Sequence, residues 1–181
     1  MQLLSASLAS YQTVSLADVL CARDMRQALQ QLWRDRFGCP QLSFSTLAPG
    51  EVKDSALTRR IFNLGWQSLQ NLINEKALPV MAQSLNATPL GGYGLIALDV
   101  DAAQLKAWLM ALEEEHPLGR LWDLDVIGTD GRPLSREALG GSPRRCLICA
   151  RPAHECARAR RHSVETLLAQ MEEMVDACCP R

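Results

Sequence analysis

Polar and apolar positions divide this chain into alternating helical and extended stretches. Ser15 and Asp18 stand in the S-x-x-D spacing of a capping box, which predicts a helix from there to about Arg36, stopped by Gly38 and Pro40. In "QLSFSTLA" (41–48), Leu42, Phe44 and Thr46 alternate with Ser43, Ser45 and Leu47, the period-two pattern of a strand. After the break "PGEVKDS", Leu57, Ile61, Leu64, Leu69, Leu72 and Ile73 recur near helical spacing, and Pro79 closes that helix. "PVMAQSLNAT" predicts a weaker strand ending in the turn "PLGG", and "YGLIALDVD" (93–101) a strong one. Leu105, Trp108, Leu109 and Leu112 mark a third helix, halted at Pro117. "RLWDLDVIG" (120–128) is the fourth strand, and "TDGRPLS" reads as a turn into a short extra strand.

The order is therefore a helix, then strand–helix–strand–strand–helix–strand. This predicts an α+β protein: an antiparallel sheet with helices on one face, built on a ferredoxin-like split βαβ core. An N-terminal helix precedes the core, and a Cys-rich, helical C-terminal extension follows it. Alternation along the fourth strand sends Trp122, Leu124 and Val126 toward the helices, and Leu121, Asp123, Asp125 and Ile127 to the open face. Past residue 142 the chain becomes rich in Cys and Arg. It ends in a helix with Val164, Leu167, Leu168, Met171 and Val175 on one side. A mass of 20.0 kDa with 48% hydrophobic residues fits one domain with a substantial core and excludes general disorder.

A net charge of −1 gives no bulk attraction to nucleic acid or to membranes. The basic residues are mostly arginine, and Arg144, Arg145, Arg151, Arg158, Arg160 and Arg161 cluster with only Glu155 to offset them. Arginine forks suit phosphates and carboxylates. No aromatics are interleaved among them, which argues against RNA. No apolar run is long enough for a bilayer, and "MQLLSASLASYQ" lacks a basic n-region, so a cytoplasmic location is expected.

Asp123 and Asp125 stand two apart on a strand, which places them on one face about 7 Å apart between Cα atoms. Two carboxylates so placed can share or pair divalent cations, and hard oxygen ligands suit magnesium completed by substrate phosphates. The same spacing also fits the solvent side of an ordinary strand paired with nearby arginines. Arg120 could clamp a phosphate. In "PGEVKDS", Gly50 opens a turn whose backbone N–H groups face a helix start, and Lys53 adds a charge. Arg23 and Arg26 could reach a substrate or simply decorate the first helix. His116 could accept a proton or cap a helix.

The seven cysteines, without a signal peptide, point to metal binding or free thiols rather than disulfides. Cys21 and Cys39 are expected as small buried hydrophobes, and the pair Cys178 and Cys179 as an unremarkable tail. Cys146, Cys149, Cys156 and His162 form C-x2-C-x6-C-x5-H, a candidate structural zinc site, with His154 as a competing ligand and reduced, packed cysteines as the alternative.

"EEEHPLGRLWDLDVI", with "APGEVKDSALTRRIF" upstream and "RRCLIC…C…RRH" downstream, resembles the apo-citrate lyase phosphoribosyl-dephospho-CoA transferases from "RDMRQAL" to the C-terminal helix. The resemblance implies a single catalytic domain, 1–181, with an N-terminal helical segment (1–40), an α+β core (41–141) and a Cys/Arg-rich segment with the last helix (142–181). It implies transfer of the prosthetic group from 2′-(5″-triphosphoribosyl)-3′-dephospho-CoA to a serine of the citrate lyase acyl carrier (gamma) subunit, with pyrophosphate leaving. Under it, Asp123 and Asp125 hold magnesium, Arg120 and Lys53 stabilise the leaving group, and Asp125 or His116 accepts the serine proton. The chain shows no nucleophile motif of its own, as expected if the partner supplies the hydroxyl. "PLGRLWDLDVI" is also similar to the paired-aspartate segment of hydroxymethyl-dihydropterin pyrophosphokinases, which are ferredoxin-like. An ATP-dependent pyrophosphokinase and a non-catalytic zinc-containing binding module are the alternatives. Related transferases of malonate decarboxylase are compared with polymerase beta-like nucleotidyltransferases, a rival fold.

Overall fold

The computed structural model describes residues 3–179. Helix α1 (Leu16–Phe37) opens on the capping box: the Asp18 amide donates to Ser15 Oγ and the Ser15 amide to the Asp18 carboxylate. It ends at Gly38, whose φ of 62° is the left-handed conformation that favours glycine. Then come β1 (Gln41–Thr46), α2 (Ala56–Glu75), β2 (Val80–Thr88), β3 (Gly91–Leu98), α3 (Ala102–Glu115) and β4 (Trp122–Ile127). A short α4 (Ala153–Arg158) and α5 (Val164–Cys178) complete the chain. The sheet order is β2-β3-β1-β4 with every neighbouring pair antiparallel, which is the ferredoxin-like arrangement.

One face of the sheet carries Leu42, Phe44, Ile96, Leu98, Trp122, Leu124 and Val126, all buried against Ile61, Phe62, Trp66 and Leu69 of α2 and Leu105 and Leu109 of α3. Phe44, Phe62 and Trp66 stack, with the first two ring centroids 4.6 Å apart. Close approach explains two glycines. A Cβ on Gly94 would lie 2.3 Å from the Trp66 ring, and one on Gly65 2.6 Å from Phe44. Met171 and Val175 of α5 join the same core.

Helix α1 takes the other face. Its partly buried positions, Ala22, Arg26, Leu29, Gln30, Trp33, Arg34 and Phe37, fall near helical spacing, and no residue of it is fully buried. The Arg26 guanidinium lies 4.7 Å from the centroid of the Tyr93 ring, Gln30 donates to the Tyr93 hydroxyl, and the Gln41 side chain donates through Nε2 to the Gln30 backbone carbonyl. Tyr93, Leu95 and Ala97 on this face are buried, whereas Asp123 and Asp125 are exposed.

Several local expectations change. Leu121 belongs to a 3-10 turn (Gly119–Leu121) and is buried in the core rather than set beside the aspartates. The segment after β4 makes a single bridge, Ile127 to Pro133, instead of an extra strand. Cys39 is buried as expected, but Cys21 is exposed because α1 buries so little.

A buried ion pair pins the N-terminal segment to α2. Asp54 receives Arg59 Nε at 2.6 Å and Nη2 at 2.8 Å, together with the Ser10 amide at 2.7 Å. Burial pushes the Asp54 carboxyl up, but these donors outweigh it and hold the pKa below its ordinary value. With the folded pKa depressed, the contribution is present above the unfolded value of about 3.9 and fades as pH falls through the folded one. Urea midpoints measured from pH 6 to pH 2 should therefore fall less steeply in Asp54→Asn than in the parent protein.

Candidate active site

β4 is an edge strand, and the register with β1 sets Asp125 opposite Ser43 and Asp123 opposite Ser45. Both carboxylates leave the face opposite Trp122, Leu124 and Val126. At Leu124 the free edge of β4 is satisfied by side chains of α3: Lys106 Nζ donates to the Leu124 carbonyl at 2.8 Å, and the Leu124 amide donates to Glu113 Oε1 at 3.3 Å, whereas the Val126 carbonyl accepts from the Leu134 amide at 2.8 Å. Lys106 and Glu113 are seven residues apart, two helical turns, so both reach the same edge. Both are buried.

Glu113 in turn holds the guanidinium groups of Arg136 and Arg144, and Arg144 Nη1 reaches Asp123 Oδ1 at 3.1 Å. Burial raises the Glu113 carboxyl against the pull of Arg144, Arg136 and Lys106. Asp125 is raised first by the protein packed around it and second by the charge on Asp123, with Lys106 and Arg144 opposing. Lys106 is lowered by burial, opposed by Asp125 and Glu113. An open pair of carboxylates, one with a raised pKa, thus sits among three fixed cations. A divalent cation bridged to a polyphosphate would relieve the repulsion between the carboxylates and leave the cations to face phosphate oxygens.

Three recesses meet at Asp123. One of about 430 Å³ also takes in Asp125, Lys106, Arg136 and Arg144. One of about 290 Å³ is lined by Arg120, Arg144 and Thr46. The largest of the three, about 1090 Å³, runs past Gly50, His154, Arg160 and the cysteine segment. A separate cavity of about 840 Å³ between α2 and α5 is lined by Arg60, Glu172 and Asp176, with Arg60 paired to Asp176 at 2.8 Å.

The other residues singled out from sequence fall into two groups. Arg120 shares a recess with Asp123, and its guanidinium donates to the Arg145 carbonyl. Gly50, with φ of 80°, lines the largest recess beside Asp123. Arg26 lies on the carboxylate side of the sheet, over Tyr93. Lys53, by contrast, turns its ammonium to the Ala48 carbonyl at 2.6 Å and closes its own loop. Burial lowers its pKa. His116 is the C-cap of α3: its Nδ1 accepts from the Leu118 amide at 3.0 Å and its ring lies 4.4 Å from Trp122, whose side chain faces away from the carboxylates. Arg23 is exposed and makes no hydrogen bond or ion pair with the described residues.

Cys146, Cys149, Cys156 and His162 converge, with one ligand atom from each lying within 4.8 Å of all the others, so this cluster could hold a metal ion. Among the described residues no helix is long and apolar enough to cross a membrane. Sequence reasoning missed Lys106, Glu113, Arg136 and Arg144. The available signal was the placing of Lys106 and Glu113 within the apolar stripe of α3.

The chain matches the model of the family described as apo-citrate lyase phosphoribosyl-dephospho-CoA transferase over residues 14–178. Curated relatives from Shigella boydii serotype 18, Escherichia coli O157:H7 and Shigella sonnei, each with that same name, are 42% identical over 174 residues, covering 94% of this chain and 95% of theirs. A match of this length spans the N-terminal helix, the sheet, the carboxylate strand and the cysteine segment, and the chain belongs to the apo-citrate lyase phosphoribosyl-dephospho-CoA transferase family.

Proposed function

We propose that this protein transfers the phosphoribosyl-dephospho-CoA group from 2′-(5″-triphosphoribosyl)-3′-dephospho-CoA to a serine of the citrate lyase acyl carrier (gamma) subunit, by nucleotidyltransferase-type chemistry. One observation carries the reading: in a chain of this family, exposed Asp123 stands where three recesses meet, with Asp125 beside it in one of them and Lys106 and Arg144 lining that same recess. Family membership supports the transferase activity. The site chemistry supports a polyphosphate donor.

The carrier serine would attack the phosphorus next to the ribose. The bond from that phosphorus to the bridging oxygen breaks, and pyrophosphate leaves. Magnesium, held by Asp123 and Asp125, would supply charge neutralisation on the triphosphate. Their exposure and mutual repulsion fit such an ion. Arg144 and Arg120 would receive the negative charge gathered on the leaving pyrophosphate. Lys106 keeps the β4 backbone at Leu124 fixed and adds positive potential behind the carboxylates. Asp125 is on the substrate face and has a raised pKa, so it takes the proton-acceptor role over His116, which is committed to its cap. Glu113 positions Arg144 rather than touching substrate.

Pyrophosphate release, followed with donor and apo-carrier subunit over a magnesium titration, tests the reading. Release should require both the carrier and the divalent cation, and carrier-independent release would count against it.

A further inference from the structure

The segment 141–163 has almost no apolar core of its own. Within it only Cys146 and Cys156 are fully buried, and α4 is six residues long, too short to be stable unaided. Its backbone is nonetheless closely organised. Arg145 bridges to Pro152, the Cys146 amide donates to the Arg151 carbonyl and the Ala153 amide to the Arg144 carbonyl, which closes a tight hairpin around the C-x-x-C turn. The Arg161 amide donates to the Cys156 carbonyl, and Arg160 adopts a φ of 43°, unusual for a residue with a side chain, to bring His162 back toward the thiols. A small, polar segment held in this way needs a staple other than apolar packing.

The side chains supply one. We propose that Cys146, Cys149, Cys156 and His162 bind a single structural zinc ion, and that this knot holds Arg144 against the carboxylate site. This goes beyond the transfer reaction proposed above. A tetrahedral zinc with Zn–S of about 2.3 Å and Zn–N of about 2.0 Å keeps its ligand atoms about 3.5–3.8 Å apart. The four ligand atoms here lie within 4.8 Å of one another, and the Cys149 and Cys156 sulfurs are 3.5 Å apart. A second observation points the same way. His162 Nε2 is buried and makes no hydrogen bond with any described residue, a costly state for a ring nitrogen unless it meets a ligand. A disulfide would use two of these groups and leave the imidazole unexplained. Three thiolates and an imidazole favour zinc over magnesium or calcium, and with all four positions filled by protein the ion has no open site for chemistry.

The link to the carboxylates is covalent and short. Arg144 and Arg145 immediately precede the first ligand. Arg144 reaches Asp123 and Glu113, and the Arg145 carbonyl receives Arg120. Cys146, Cys156 and His162 also wall the largest recess at Asp123. Metal binding would thus fix both arginines and one side of that recess.

The test is metal analysis of the full-length protein purified without chelator under reducing conditions. One zinc per chain is expected by mass spectrometry of the metal. Replacement by cobalt should give thiolate charge-transfer bands and the visible bands of a tetrahedral site. Cys149→Ser should lose most of the zinc, whereas Asp125→Asn should keep one per chain, so the result does not depend on activity. Chelation should speed tryptic cleavage within 144–161 by about tenfold or more, since proteolysis follows the population of the opened segment. If Cys149→Ser does not fold, the cobalt spectrum of the unaltered protein still decides. Metal-free protein that takes up neither zinc nor cobalt, or a Cys149–Cys156 disulfide persisting under reducing conditions, would overturn the proposal.

Discussion

Asp125→Asn should lose transfer activity by at least about a hundredfold, the scale on which removing one preorganised electrostatic group acts on a charged transition state. The substitution keeps shape and removes one charge from a pair whose neighbours Lys106 and Arg144 stay in place. It also has a stability signature. The folded pKa of Asp125 is raised, so ionising it above that pKa is harder in the folded than in the unfolded chain, and at neutral pH the carboxylate detracts from stability. In the presence of EDTA the variant should therefore unfold at an equal or higher urea concentration than the parent at pH 7. Added magnesium should stabilise the parent and leave the variant unmoved. Activity within fivefold of the parent would remove Asp125 from the mechanism.

Glu113→Ala should have the largest effect on stability. The carboxylate is buried, binds two guanidinium groups and receives the Leu124 amide, so its removal leaves Arg136 with Glu114 alone, Arg144 with Asp123 alone and the Leu124 amide without its acceptor. Breaking a buried charge network by deleting one partner costs about 3–5 kcal/mol. A urea midpoint shift gives the stability term. A role limited to stability would lower the yield of folded enzyme without altering its kinetics. A role in positioning Arg144 predicts in addition a fall in kcat for the folded fraction, because the guanidinium next to Asp123 loses its anchor. Glu113→Gln keeps the shape and the Leu124 contact, and it should fall between the two.

How much of this could be seen in advance depended on whether a residue's environment is set locally. The alternation of Trp122, Leu124 and Val126 with Asp123 and Asp125 was legible because a strand with one buried face leaves a period of two in the sequence. The cysteine cluster was legible from its spacing. The placement of α1 was not. It contacts the sheet through Arg26 and Gln30 as much as through apolar groups, so its stripe hardly differs from a solvated face. Lys106 and Glu113 fall within the apolar stripe of α3, which marks them as buried, but the partner that buries them, the Leu124 backbone on the edge of β4, follows from sheet order and not from local pattern. Arg144 is 21 residues from Asp123 and was visible only as one member of an arginine-rich run. His116 fitted two roles from sequence, and the structure shows it at the cap position, with its Nδ1 accepting from the Leu118 amide.

Modification of a carrier subunit from a triphosphoribosyl donor can be read from the intact mass of that carrier. Purified apo-carrier subunit would be incubated with the protein, magnesium and 2′-(5″-triphosphoribosyl)-3′-dephospho-CoA, with Asp125→Asn in parallel. The account predicts a carrier mass increased by one phosphoribosyl-dephospho-CoA group, an equal amount of pyrophosphate, and neither product with the variant. A carrier of unchanged mass, in the presence of folded protein and competent donor, would contradict it.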